Sequence, residues 1–229
     1  MDPTDTNNAI SMLTGSSPPP YLELFNEPDF SFDNLTPLTD AVTAAQNLSA
    51  LLATPHPQTT FISPALMDAN SDWLTTFKNN CNGCFDQPPI QIPIIAMHVY
   101  NPDPQGVMDQ ITQLHSTWPD KKIWITELSP ATTGCSLSSQ GTDGTQAGTI
   151  ANYIATLIPQ ILQLGYVDKI FWNSGEWNSP PINNAPAACN PSLVDANGDA
   201  TDVLKVLGTM CGGSGSTATS RRGLNFGKM

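Results

Sequence analysis

Five short apolar runs, each too short for a helix and rich in Ile, Phe, Tyr or Trp, punctuate this 229-residue chain. They are YLELF (21–25), TTFIS (59–63), IPIIAMHVY (92–100), KIWIT (122–126) and KIFWN (169–173). Helical periodicity fills the intervals. Thr36 as N-cap with Pro37 at the first helical position opens one helix, with Leu38, Ala41, Val42, Ala45, Leu48 and Leu52 on one face. Trp73, Leu74 and Phe77 mark a shorter one, and Val107, Met108, Ile111 and Leu114 another that stops near Pro119. The longest runs from about Thr145 to Leu164, with Pro159 placed to kink it, and a last one covers about Thr201 to Met210. Strands that alternate with helices predict βαβ units, and near-continuous apolar strands predict a sheet covered on both faces. The expected class is α/β.

A chain of this length buries a sizeable core as one domain. Residues 1–211 are expected to form it, with GGSGSTATSRRGLNFGKM (212–229) as a flexible tail. All twenty acidic residues precede Gly212, against five of the eight basic ones, so the body is more acidic than the whole-chain charge of −12. That charge repels phosphate backbones, so nucleic acid is not an expected partner and a neutral ligand is. No apolar stretch approaches the ~20 residues of a membrane span. The opening MDPTDTNNAI lacks the basic start and apolar stretch of a signal peptide, and the sequons at Asn34 and Asn47 matter only on an exported chain.

The cysteines are Cys81, Cys84, Cys135, Cys189 and Cys211. Cys81-Asn82-Gly83-Cys84 has the spacing of a zinc or redox motif, but no second pair follows and the three histidines are scattered. A local disulfide across the Asn-Gly turn is expected rather than a metal site, and no metal or cofactor is expected elsewhere. Asp195-Ala196-Asn197-Gly198-Asp199 lacks the glycine position and closing glutamate of a calcium loop and reads as a turn. An odd count leaves one thiol over, and Cys135 is the expected one.

The chain has only four glutamates, and two of them close apolar runs: Glu27 follows YLELF in Asn26-Glu27-Pro28, and Glu127 follows KIWIT. Ligands of parallel α/β folds bind at the carboxyl ends of strands. Two carboxyls facing one mouth from strand ends are what glycoside hydrolysis requires, one neutral to protonate the leaving oxygen and one ionised to attack or to activate water. Either glutamate taken alone reads first as an ordinary loop residue or a charge at a helix start. Context argues for chemistry. Asn26 sets an amide beside the acid, Pro28 stiffens the turn, and other strand ends supply His98, Tyr100 and Trp172. Trp offers a flat face to the C–H groups of a pyranose, and Tyr or His bonds a carboxylate or hydroxyl.

The ordered set FNEPD, ISPAL, IIAMHVY, WITELSPA and FWNSGEW resembles the catalytic domain of fungal cell-wall glycoside hydrolases of clan A. Within that clan it is most similar to the alkali-sensitive-linkage-protein-like domain, glycoside hydrolase family 128, from about Leu13 to Met210. The resemblance implies a (β/α)8 TIM barrel and retaining hydrolysis of β-1,3-glucan, a polysaccharide substrate. It implies Glu27 as acid/base at the end of strand four and Glu127 as nucleophile at the end of strand seven. Asn26, His98, Tyr100, Trp172 and Glu176 are then substrate-binding or supporting residues: Asn26 on the sugar 2-hydroxyl, Tyr100 orienting Glu127, Trp172 stacking on the ring. The family's setting is secretion or the cell wall.

Numbering by the resemblance makes YLELF strand four, yet only twenty residues precede it. The expectation is therefore a truncated barrel, with strands four to eight and their helices present. Closure normally removes the apolar edges of such a sheet, so association with another copy is an expected way to cover them. Two functional classes follow. One is a retaining β-1,3-glucanase. The other is a non-catalytic glucan-binding or cell-wall-associated protein that keeps the cleft without turnover.

Overall fold

The computed structural model describes residues 3–30, 40–48, 56–87, 91–137, 149–173 and 185–210. The predicted strands and helices appear in the predicted order, after a helix near the start of the chain. The elements are α1 (Pro3–Thr14), β1 (Tyr21–Glu23), α2 (Ala41–Asn47), β2 (Thr60–Ile62), α3 (Trp73–Asn80), β3 (Ile94–Tyr100), α4 (Pro104–Thr117), β4 (Lys122–Ser129), α5 (Ile150–Gln163), β5 (Val167–Trp172) and α6 (Asp202–Met210). The strands form a five-stranded sheet in the order β1-β2-β3-β4-β5. It is parallel: Tyr21 pairs with Thr60 and Glu23 with Ile62, and Ile62 pairs with Ile94. Backbone bonds from Lys122 to Pro93, from Asn101 to Ser129 and from Asn173 to Leu128 join like ends of β3, β4 and β5. Each crossover contains a helix, as parallel neighbours require.

The chain divides into two compact units, one of residues Met1–His98 and Gln113–Trp124, the other of Val99–Thr112 and Ile125–Met229. The first is built on aromatic rings. Trp73 and Phe77 stack at 5.4 Å, Phe85 and Trp118 stack at 5.2 Å, and Phe25 and Phe85 each meet Phe77 edge-on at 6.2 Å. Offset and edge-on pairs of this kind add to the burial of their large surfaces. Lys78 lies 5.4 Å over the Trp118 ring while its ammonium is 2.9 Å from Asp86. Leu74 and Phe77 turn inward from α3, which packs against α2. Beyond the strand ends the parallel track continues through isolated bridges, Asn26 with Ala65 and Leu66 with Met97.

The second unit rests on an aliphatic core. Ile150, Ile154, Leu157, Ile158 and Ile161 line the buried face of α5, which packs on Val203 and Leu207 of α6. Thr149 starts α5 by accepting the Asn152 amide at 3.1 Å. Pro159 lies inside the helix, where it removes one backbone donor.

Local details depart from the sequence expectations. Asp40, not Thr36, caps the helix that is described, accepting the Val42 and Thr43 amides; Thr36, Pro37, Leu38 and Leu52 lie outside the described residues. β4 runs on to Ser129, so Glu127 sits within a strand rather than past its end. Cys81 and Cys84 form the expected disulfide, but Cys135 is not the odd thiol: it is bridged to Cys189. Their separation of 54 residues hid the partnership, since only the crossover through α5 and β5 brings them together. Cys211 and the 212–229 tail lie outside the described residues. Asp195 to Asp199 is the expected turn, its Asp195 carboxylate accepting the Asn197 and Asp199 amides. Those amides hold the Asp195 carboxyl below its ordinary range.

Candidate active site

Each unit holds chemistry-bearing residues of its own among the described residues. In the first, Phe25 and Glu27 leave β1 along the bridge to Ala65, with the Glu27 amide donating to the Ala65 carbonyl at 3.0 Å. Glu27 has φ +46°, a left-handed backbone that is uncommon for a residue with a side chain. The Phe30 amide closes the Asn26-Glu27-Pro28-Asp29 turn onto the Glu27 carbonyl at 3.1 Å. Asp29 locks that turn to the segment after β2 by accepting the Met67 and Asp68 amides, both at 3.0 Å. The result aims a buried carboxyl at β3: Glu27 Oε1 lies 2.8 Å from Nδ1 of His98, which is 1% exposed. A ring nitrogen and a carboxyl oxygen at that distance hold a proton between them, on either partner. Asn26 itself is exposed.

The second cluster uses straight strand ends. Tyr100 ends β3 and donates its hydroxyl to Oε2 of Glu127 on β4. Asn173, the residue after β5, donates its amide to the same Oε2 at 2.8 Å and to the Tyr100 hydroxyl. Both groups that hold this oxygen are donors, so Glu127 is held as an acceptor, and charge-assisted bonds of this kind are the strong ones. Asn173 went unassigned in the sequence. The signal was there, since it closes KIFWN as Glu127 closes its run.

Trp172, the last residue of β5, is half-buried and donates its indole N–H to the Pro191 carbonyl at 2.8 Å. Tyr153 on α5 bonds the Asn101 carbonyl just past β3 at 2.7 Å. Burial, with the Asp103 charge adding to it, raises the Tyr153 hydroxyl well above its ordinary pKa of 10.0. Of the residues singled out in the sequence, His98 thus meets Glu27, Tyr100 meets Glu127, and Trp172 meets Pro191. Glu176 lies outside the described residues.

The chain belongs to the glycosyl hydrolase catalytic core family, whose model matches residues 2–207. It is 33% identical over 131 residues to alkali-sensitive linkage protein 1 of Schizosaccharomyces pombe, a match covering 56% of this chain and 22% of that protein. Its fold is that of GH128 structures. A GH128 subgroup VII oligosaccharide-binding protein from Trichoderma gamsii aligns with TM-score 0.59 at 20% identity, over 89% of this chain and 72% of that one. A GH128 subgroup II endo-β-1,3-glucanase from Sorangium cellulosum aligns with TM-score 0.57 at 19% identity, over 88% and 74%. A subgroup VI exo-β-1,3-glucanase from Aureobasidium namibiae aligns with TM-score 0.60 at 16% identity, over 85% and 72%. No helix among the described residues is long and apolar enough to cross a membrane.

Proposed function

We propose that this chain is a retaining glycoside hydrolase of β-1,3-glucan, working at a fungal cell wall, with residues 1–211 as its catalytic domain and 212–229 as a tail. Its sheet is then strands four to eight of a (β/α)8 barrel, and the chain self-associates. Glu127 is the nucleophile: its carboxylate attacks the anomeric carbon and forms a glycosyl–enzyme ester while the glycosidic bond breaks. Glu27 protonates the departing oxygen, then takes a proton from the water that hydrolyses the ester. His98 orients the Glu27 carboxyl and shares its proton. Asn26 bonds the sugar 2-hydroxyl, Trp172 stacks on the ring, and Glu176 is a further substrate-binding residue.

The observation that carries this reading is the clasp on Glu127. Tyr100 at the end of β3 and Asn173 just after β5 both donate to one carboxylate oxygen of Glu127. The second reading, an oligosaccharide-binding protein without turnover, draws on the likeness to the Trichoderma gamsii GH128 oligosaccharide-binding protein.

Reducing-sugar release from soluble β-1,3-glucan, compared between the parent and Glu127→Gln, separates the two. The hydrolase predicts activity in the parent and a loss of three or more orders of magnitude (roughly) in the variant, because no ester forms. Binding of laminari-oligosaccharides with no product from either chain selects the binding protein. Neither binding nor product overturns both.

A further inference from the structure

The Cys135–Cys189 disulfide joins the segment that leaves β4, two strand positions after Glu127, to the segment that leads from β5 toward α6. The two half-cystines sit in a small dry cluster with Ala131 and Ala185, and Leu137 packs against it. The Cys189 amide closes a short turn onto the Pro186 carbonyl at 2.8 Å. Directly after that turn comes Asn190, whose buried side-chain oxygen accepts both the amide (3.1 Å) and the hydroxyl of Ser192. Pro191 is thereby bracketed. Downstream, Thr201 donates its hydroxyl to the Ser192 carbonyl at 2.8 Å and anchors the far side of the segment at the start of α6.

The bracket holds the Pro191 carbonyl, and that carbonyl receives the Trp172 indole N–H. A tryptophan at a strand end has two rotatable bonds, and one bond at the ring's edge selects the ring orientation. Nothing about a merely structural disulfide asks for its neighbour's carbonyl to be spent on an aromatic side chain of the next strand end. We propose that Cys135, Cys189 and Asn190 are positioning residues: together they fix the Pro191 carbonyl, and through it the face that Trp172 presents to a sugar. The assignment of Trp172 as a sugar platform rests on the reading under Proposed function. The positioning of the ring does not.

Two readouts keep these apart. The first uses the ligand-free full chain and measures hydrogen exchange of the Trp172 indole N–H by NMR. It is expected to be protected in the parent and in Cys81→Ser/Cys84→Ser, and to lose protection in Cys135→Ser/Cys189→Ser and in Asn190→Ala, with Asn190→Asp restoring it. Asn190→Ala keeps the disulfide, so it answers the question even where the double serine variant fails to fold. Protection unchanged in Asn190→Ala, or in a folded double serine variant, overturns the proposal.

The second measures laminaripentaose affinity in a Glu127→Gln background. A ring that must be ordered on binding is expected to weaken affinity about three- to tenfold. The loss in Cys135→Ser/Cys189→Ser should vanish when Trp172→Phe, which lacks the N–H, is already present. Losses that add in full overturn the proposal, because the disulfide then acts by another route. Absence of binding in the parent sinks the functional reading, and the exchange measurement alone then decides the positioning.

Discussion

Glu27 and Glu127 are the same residue at the ends of two strands of one parallel sheet, and almost everything else about them differs. Glu27 is 8% exposed, stands four residues past its strand on a left-handed backbone, and meets a buried imidazole. Glu127 stays in regular strand geometry and meets a phenol and an amide, both donors. An imidazole nitrogen can donate or accept according to its tautomer, whereas Tyr100 and Asn173 both donate to the Glu127 carboxylate. Strand-end placement therefore does not distinguish the two glutamates. The partner does, and the partners come from β3 in the first case and from β3 and β5 in the second.

The comparison breaks most readily at the clasp. Tyr100→Phe and Asn173→Ala each remove one donor from Glu127, and each is expected to lower kcat/KM on β-1,3-glucan about ten- to a hundredfold, the range for a bond to a charged group. The double variant should lose less than the product of the two, because Asn173 also bonds the Tyr100 hydroxyl. Losses below about twofold would show that Glu127 needs no support.

The two units also differ in their disulfides, which span separations of 54 and 3 residues. On the chain-entropy account, removing Cys135–Cys189 costs about 4 kcal/mol and removing Cys81–Cys84 about 2. Denaturant midpoints of the two double-serine variants test the order. Equal costs would place the stabilisation in native packing rather than in the unfolded chain.

Backbone geometry supplies a sign test. At φ +46° glycine is easier to accommodate than alanine by about 1 kcal/mol, so Glu27→Gly should be more stable than Glu27→Ala. Inside β4 the order reverses, and Glu127→Ala should exceed Glu127→Gly by about 0.5–1 kcal/mol. Thermal unfolding of the four variants decides it.

The smallest effects are those of pH. Tyr153 is held neutral by burial, so its pKa is higher folded than unfolded. The stability it contributes is fully present below its unfolded pKa near 10 and is lost as pH rises toward the folded value. Tyr153→Phe should flatten that alkaline limb. Asp86, bonded to Lys78, has a lowered pKa, so its contribution is present above the ordinary carboxylate range and is lost as pH falls through the folded value. Asp86→Asn should flatten the acid limb slightly.

Much of the fold was legible in the chain itself. A buried strand in a parallel sheet needs an unbroken apolar run, and a covering helix needs one apolar stripe, so YLELF, IIAMHVY and the Ile-rich face of α5 declare themselves locally. Glu27, Glu127, His98, Tyr100 and Trp172 stood out for a related reason: polar or amphipathic groups at the ends of apolar runs are where a parallel sheet offers its functional face. Asp40 was passed over because Thr36-Pro37 carries the stronger local signature. Asn173 was passed over because an amide closing an apolar run says nothing about what it will meet.

Pairing is another matter. Glu27 with His98, Asn173 with Glu127, Trp172 with Pro191 and Cys135 with Cys189 lie 71, 46, 19 and 54 residues apart. The sequence by itself determined which segments are strands, which are helices, and which polar groups stand at their ends, because those depend on neighbours within a few residues. Only the tertiary structure decided which glutamate shares a proton and which is clasped by donors. Parallel strands meet through crossovers, and the register at which they meet is set by the packing of the whole sheet.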